Sequence, residues 1–360
     1  MLKPTILFIM YQNPESNYKS FFEMVVGRSE SELLTNNDLQ LIFGKSRILI
    51  VGAGGSIGSA IAKRLTKAKI SEVFFLDRDE SGLHALALEL SDNSASQSDN
   101  YLVADIRDRQ GLGNILETIK PQVVIHAAAL KHLTVLEKFP REGFLTNIMG
   151  TLNVAELCLE LGVQSFINIS TDKAANPVSI LGKTKKIAEL ISEEVFIGSS
   201  LKQCSVRFGN VFASRGSVIE TFIHQLKNDI PVTITDPEVS RFFMSQNEAA
   251  NLVLAASSLP ESGIYIQNMG QQVKIIDIVN RIGNFLGVKP RIKIIGLQRG
   301  EKLYEELFDG PFSSTKFNEI SRSEYSLKTG LLLEAKSNQP INNSESAQII
   351  DSLVLKYRSN

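Results

Sequence analysis

The chain has 360 residues, enough for one large or two modest domains with a substantial core, and its 43% hydrophobic and 21% charged residues are ordinary for a globular protein. With 38 Lys+Arg against 39 Asp+Glu the formal net charge is -1, which argues against nucleic acid as the main partner. The two cysteines, Cys158 and Cys204, fall outside any C-x-x-C pair, so core thiols in a reducing compartment are expected, with no disulfide framework and no metal site.

In chain order, "PTILFIMY" near the start is apolar but too short to cross a bilayer. It lacks a small-residue cleavage pattern, so an element docked on the core of a cytoplasmic protein is expected. Residues 1–44 read as a lead-in arm with a turn-rich middle. From Arg47 the pattern sharpens. "RILIVGAGGSIG", "EVFFLDRD", "NYLVADIRD", "PQVVIHAAA", "SFINIST" and "CSVRFGNVF" are short β-branched or aromatic runs, separated by stretches of helical spacing such as "SAIAKRLTKA" and "TLNVAELCLELG". This alternation predicts an α/β fold, a Rossmann-type doubly wound parallel sheet covered on both faces, over about 45–210. "GIYIQNM" predicts a returning strand, with return elements at about 245–268. Residues 211–244 and 269–335 read as a smaller C-terminal α/β substrate-binding region, and 336–360 as a loosely constrained tail ending in a short amphipathic helix.

The spacing Gly52-x-x-Gly55-x-x-Gly58 closes the first strand and opens a helix. Glycines there permit the tight turn and bring backbone N–H groups of Ser56, Ile57 and their neighbours close to a pyrophosphate at a helix N-terminus. The second strand ends at Asp77, whose carboxylate suits the ribose hydroxyls of NAD and would repel the 2′-phosphate of NADP, although adjacent Arg78 softens that preference. Asp105 and Ile106 follow the third strand, where an adenine edge would be read. Ala127, Ala128 and Ala129 follow the fourth and complete a candidate cofactor-binding set for tightly bound NAD.

The segment "ISTDKAANPVSILGKTKK" resembles the catalytic strand end and helix of short-chain dehydrogenases, in which a Tyr stands four residues before a Lys. The Lys is Lys185, but position 181 is Leu. Together with "GAGGSIGSAIAKRL", "HAAALKHLTVLEKFP", "TNIMGTLNVAELC", "VRFGNVFASRGSVIETF" and "GEKLYEEL", it closely resembles one family over about residues 27–320. This is the CapD-like polysaccharide-biosynthesis branch of the extended short-chain dehydrogenases, the UDP-N-acetylglucosamine 4,6-dehydratases. Members of that branch often carry an apolar residue in place of the Tyr. Some relatives have an N-terminal membrane region, and this chain reads as lacking one.

The resemblance implies a redox-neutral 4,6-dehydration of a UDP-N-acetylhexosamine, with NAD regenerated at each turnover. The enzyme must then supply an acid and a base beside the nicotinamide. Asp172 is the candidate acid towards the leaving 6-hydroxyl, provided burial keeps it protonated, and Lys173 the candidate base at carbon 5, provided its pKa is depressed. Thr171 would hydrogen-bond the 4-hydroxyl and Lys185 the nicotinamide ribose. The group that accepts the 4-hydroxyl proton stays open. By the family pattern Asn210 and Arg241 face the diphosphate, Lys131 the sugar or phosphates and Glu301 the uridine ribose, while Arg215 and Ser217 line the same cleft. The family's R-P-G-E-K reads Gln298-Arg299-Gly300-Glu301-Lys302 here, which displaces the phosphate-reaching cation to Arg299. Val51 replaces a usual Thr, and a usual His near "TKFNEI" is absent. Histidines 126 and 132 are expected to be structural. The family also implies a homo-oligomer. Two alternatives stand beside the dehydratase: a UDP-sugar 4- or 5-epimerase on the same scaffold, and a non-catalytic nucleotide-sugar binding module.

Overall fold

Apolar runs become strands buried on both faces, as a helix-covered parallel sheet requires. The computed structural model describes residues 14–90, 99–323, 330–338 and 340–358. Six parallel strands follow in order: β1 (Ile48–Val51), β2 (Val73–Asp77), β3 (Tyr101–Val103), β4 (Val123–His126), β5 (Ser165–Thr171) and β6 (Lys202–Phe208). The returning strand, β11 (Gly263–Gln267), pairs parallel with β6. Antiparallel β15 (Ile320–Ser323) and β14 (Phe312–Ser314) close that edge. The order is β14-β15-β11-β6-β5-β4-β1-β2-β3, the Rossmann-type doubly wound arrangement expected. It reverses direction between β1 and β4, and the crevice beyond those strand ends is where such sheets bind ligands.

Strand periodicity divides the core. Ile48 and Ile50 face one layer, with the helices Ser56–Lys67 and Gln246–Ser257, and Leu49 and Val51 face the other, with the helices Thr151–Glu160 and Ile180–Phe196. A smaller lobe holds three short pairs: β7 (Asn210–Val211) with β10 (Phe243–Met244), β8 (Val232–Ile234) with β13 (Ile292–Ile294), and β9 (Ser240–Arg241) with β12 (Val273–Lys274).

Both ends of the chain are better anchored than their composition suggests. The helix Pro14–Val26 buries Phe21, Phe22 and Val25 against Phe212 and Phe222 of the small lobe, so this part of the lead-in belongs to a core. Arg28 locks the following turn by pairing with the buried Glu248 at 2.5 Å. At the other end, the helices Leu331–Ser337 and Asn343–Arg358 pack on Ile180–Phe196. Ile350, Leu353 and Val354 recur at i, i+3 and i+4, an apolar stripe that a polar flank conceals in the sequence. "PTILFIMY" lies outside the described residues. Among the described residues, no helix is long and apolar enough to cross a membrane, and no group of three His, Cys, Asp or Glu side chains is placed to hold a metal.

Candidate active site

The glycine turn is built for close approach. Gly52 has φ +87°, and a Cβ on it would lie 2.4 Å from the amide nitrogen of Ala128. A Cβ on Gly58 would lie 2.1 Å from the Gly52 carbonyl oxygen. Gly55 is the N-cap of the helix Ser56–Lys67 and makes no side-chain cap, so the first amides of that helix face outward. Asp77, at the end of β2, also shapes the turn: its Oδ2 accepts from Gly54 N–H at 2.9 Å and its Oδ1 from Asp79 N–H at 3.0 Å.

A groove of about 190 Å³ runs over these atoms and includes Asp105, Ile106, Ala128 and Ala129. Thr146 also lines it, and its buried hydroxyl has no hydrogen-bond partner. A bare backbone cradle, a strand-end carboxylate and an orphaned hydroxyl fit a dinucleotide. Asp105 is more tightly engaged than its sequence position suggests. Burial pushes its carboxyl up, but Arg107, 2.6 Å away, and then Arg78 at 3.6 Å bring it below the ordinary range. Gly58→Ala is expected to destabilise the fold by about 1–3 kcal/mol and to weaken NAD binding at least about tenfold. Thermal unfolding and calorimetric titration would check both, and unchanged NAD affinity would remove the turn from the cofactor site.

The groove opens into a cleft of about 540 Å³ at the carboxyl ends of β5 and β6. Gly55, Ser56, Ile57, Gly58, Ala127 and Ala129 form its cofactor side, and Thr171, Lys173, Leu181 and Lys185 its far wall. Thr171 ends β5 and caps the tight turn Asp172–Ala174. Ser179 then caps the helix Ile180–Phe196, on which Leu181 and Lys185 are one turn apart and share a face. Leu181 therefore presents an apolar surface where a tyrosine hydroxyl would stand.

Asp172 is fully buried. Its Oδ1 accepts from the Thr171 hydroxyl at 2.9 Å and from Lys173 Nζ at 3.0 Å, while its Oδ2 is buried without a partner. Lys173 Nζ also donates to Asn210 Oδ1 at 3.3 Å and pairs with Glu305 Oε1 at 3.5 Å. The sequence-based condition for Lys173 was a depressed pKa, and the opposite holds. Burial pulls the ammonium down, but the Asp172 and then the Glu305 carboxylates outweigh burial and Arg241, holding it above the ordinary lysine range. Burial depresses Lys185 instead, to about 8, against the raising effect of Glu189, and it also lowers Lys131 across the cleft. His126 is buried against the Thr151 hydroxyl, and burial followed by the Lys185 charge lowers it to about 3, which makes it a neutral core residue.

The predicted substrate residues separate into two groups. Lys131, Asn210, Arg215 and Ser217 line the cleft. Arg215 also reaches over the cofactor groove, donating its N–H to Ser56 Oγ at 3.1 Å and facing Asp79 at 3.4 Å. Arg241, Arg299 and Glu301, expected from the sequence to bind substrate, are not among the residues lining this cleft. Arg241 is buried and donates to the carbonyls of Ser240, Lys302 and Leu303 and to Glu301 Oε1. Glu301 also accepts from Thr235 at 2.9 Å. The displaced Arg299 is exposed and pairs with Glu137 at 3.3 Å. The physical reason is that the loop 299–309 folds along residues 172–186 and spends its charges there. Lys302 donates to the Ala175 carbonyl, Glu305 meets Lys173, Glu306 accepts from Asn176, and Asp309 pairs with Lys186 at 2.5 Å.

Two site residues escaped the sequence reading. Glu305 touches Lys173 from 132 positions away, a pairing that no local pattern signals. Asn147 lies in a π-helical stretch, Phe144–Gly150, where it exchanges two hydrogen bonds with the Leu130 backbone and donates to Thr184. It thereby ties the cofactor-side wall to the helix of Lys185. A lone Asn amid the apolar run "FLTNIMG" was the available signal, and π-helical turns often mark functional sites.

Strand order, glycine turn and cleft together define an extended short-chain dehydrogenase scaffold. Within that class the chain belongs to the CapD-like polysaccharide biosynthesis protein family, whose model matches residues 48–324. It is 38% identical over 296 residues to the capsular polysaccharide biosynthesis protein CapD of Staphylococcus aureus, covering 80% of this chain and 49% of that protein. The chain thus spans about half the length of that relative. A UDP-glucose 4-epimerase of Rickettsia canadensis is 32% identical over 273 residues, 74% of this chain and 78% of the relative. Among solved structures, Pen from Bacillus thuringiensis superposes with a TM-score of 0.71 at 32% identity, covering 80% of this chain and 89% of its own.

Proposed function

We propose that the protein is an NAD-dependent, redox-neutral 4,6-dehydratase of a UDP-N-acetylhexosamine, with UDP-N-acetylglucosamine the first substrate to test. The observation that carries this reading is the hydrogen-bonded set Thr171, Asp172 and Lys173: Thr171 and Lys173 line the cleft, and the fully buried Asp172 stands behind them, in contact with it through the Thr171 hydroxyl. A simple oxidation or epimerisation needs a base for a hydroxyl but no acid for a departing group, whereas this set offers both. Bound NAD would supply the hydride acceptor and donor. Family membership and the UDP-sugar named for the Rickettsia relative support the substrate class.

The set also offers a route for the proton that a tyrosine would otherwise take. The Thr171 hydroxyl donates to Asp172 Oδ1, so a proton leaving the sugar's 4-hydroxyl can pass through Thr171 to Asp172. Asp172 is then the protonated acid that water loss requires, and the same proton departs with the leaving hydroxyl. Lys173 removes the carbon 5 proton and returns one after water has gone. Lys185, which lines the cleft one helical turn after Leu181, would hold the nicotinamide ribose. Asn210, Lys131 and Ser217 hold the diphosphate and sugar.

A 4- or 5-epimerase is the second reading, favoured by the name of the Rickettsia relative. Purified protein with UDP-N-acetylglucosamine in deuterated water, without added reductant, separates the two. A product lighter by one water, with a new methyl group and deuterium at carbon 5, is expected. Unchanged mass with an inverted carbon would give the epimerase, and binding without turnover a non-catalytic module.

A further inference from the structure

We propose that Glu305 is a positioning residue for Lys173, a second buried carboxylate that holds its ammonium on Asp172 and governs when it is free to act as a base. The inference rests on the reading of Lys173 as the carbon 5 base. Its geometry is independent of that reading.

Glu305 is 4% exposed and does not line the cleft, so it stands behind Lys173 and away from substrate. Its backbone is fixed on both sides by one side chain: Gln272 Oε1 accepts from Glu305 N–H at 3.2 Å, and Gln272 Nε2 donates to its carbonyl at 2.9 Å. The carboxylate is therefore delivered to one place. Oε1 lies 3.5 Å from Lys173 Nζ and 3.8 Å from Arg241 Nε, and Oε2 is buried without a partner. Leaving a carboxylate oxygen buried and unpaired is unfavourable, and a second hydrogen-bond donor would have relieved it. The charged groups facing Glu305 are Lys173, Asp172, Arg241 and Lys302, with Glu301 on the far side of Arg241. Burial pushes the Glu305 carboxyl up against the pull of Lys173, and Asp172 adds to the rise.

Lys173 Nζ has three acceptors around it, Asp172 Oδ1, Asn210 Oδ1 and Glu305 Oε1, which match the three hydrogens of an ammonium. To act as a base towards carbon 5, Lys173 must first give up one Nζ proton to solvent through the cleft that it lines, Asp172 Oδ1 being kept for the 4-hydroxyl proton. A charged Glu305 opposes that loss because it favours the ammonium, and a neutral group at the same place would ease it. Removing this negative charge lowers the proton affinity of Lys173, so the rate profile that its basic form governs should move to lower pH.

The test compares wild type with Glu305→Gln and Glu305→Asp, reading carbon 5 deuterium exchange against pH. Glu305→Gln should retain UDP-sugar binding and shift the whole profile to lower pH by roughly one to three units. Glu305→Asp, which keeps the charge, should return it towards wild type. A Glu305→Gln profile that overlies wild type, or a uniform loss at every pH without a shift, would overturn the proposal. A readout that needs no substrate is the NMR titration of lysine carbon-13 labelled wild type, with the Lys173 signal assigned by its absence in Lys173→Met. A Lys173 value at or below that of an ordinary lysine would also overturn the proposal. If wild type shows no exchange at all, the reading of function fails while the titration still decides the coupling.

Discussion

Asp172→Asn is expected to leave the protein folded and NAD bound while water loss falls roughly a hundred- to ten-thousandfold. Asparagine has nearly the shape of aspartate and keeps an acceptor oxygen for the Thr171 hydroxyl and Lys173 Nζ, and the Lys173 ammonium keeps Glu305 as an anionic partner. What asparagine cannot do is take up the proton from the 4-hydroxyl or release one to the leaving 6-hydroxyl. Mass spectrometry of the sugar nucleotide gives the rate of water loss, and calorimetry gives NAD affinity. Dehydration at the wild-type rate would remove Asp172 from the chemistry and point to another acid in the cleft.

Lys173→Met should have a double effect. Exchange of the carbon 5 proton with solvent should disappear, because methionine has no basic lone pair. The protein should also lose stability by about 3–5 kcal/mol, the usual cost of breaking a buried ion pair from one side. Here the loss leaves two buried carboxylates, Asp172 and Glu305, without the cation between them. The sign of the pH effect follows. Protonating Glu305, whose carboxyl burial and then Asp172 push up, removes the like-charge contact, so the stability deficit is largest near neutral pH and shrinks as pH falls. Melting temperatures of wild type and variant at about pH 5 and pH 7.5 would show the gap narrowing on acidification. A gap that does not depend on pH would mean that the two carboxylates do not sense each other through Lys173.

Much of this site could be read from the sequence because its chemistry is local. Gly52, Gly55 and Gly58 announce a turn by spacing alone, and Thr171, Asp172 and Lys173 are consecutive at the end of an apolar strand. The central strands β1, β4, β5 and β6 show themselves as apolar runs because both faces are buried. Long-range pairing leaves no such trace. Arg207 in "CSVRF" is fully buried only because Glu189, 18 residues earlier, and Asp309, 102 residues later, surround its guanidinium. Arg241 and Glu301, 60 positions apart, pair with each other, a contact that neither motif signals. The depressed pKa sought at Lys173 falls on Lys185, since the two lysines differ in the number of carboxylates within reach. Near the start of the chain, a turn-rich composition concealed the apolar stripe of Phe21, Phe22 and Val25.

The loop 299–309 works as a ruler laid beside residues 172–186. Its graduations are Arg299 at Glu137, Gly300 against Ser179, Lys302 at Ala175, Glu305 at Lys173 and Asp309 at Lys186. Adding or removing a single residue within it would move every later mark by one position, taking Glu305 off Lys173 and Asp309 off Lys186 together. The spacing of this loop is thus constrained by chemistry at a distance, and between the marks Glu301 and Glu306 are held as well, by Arg241 and Asn176. A change in its length would therefore disturb the surroundings of Lys173 and Lys186 in one step.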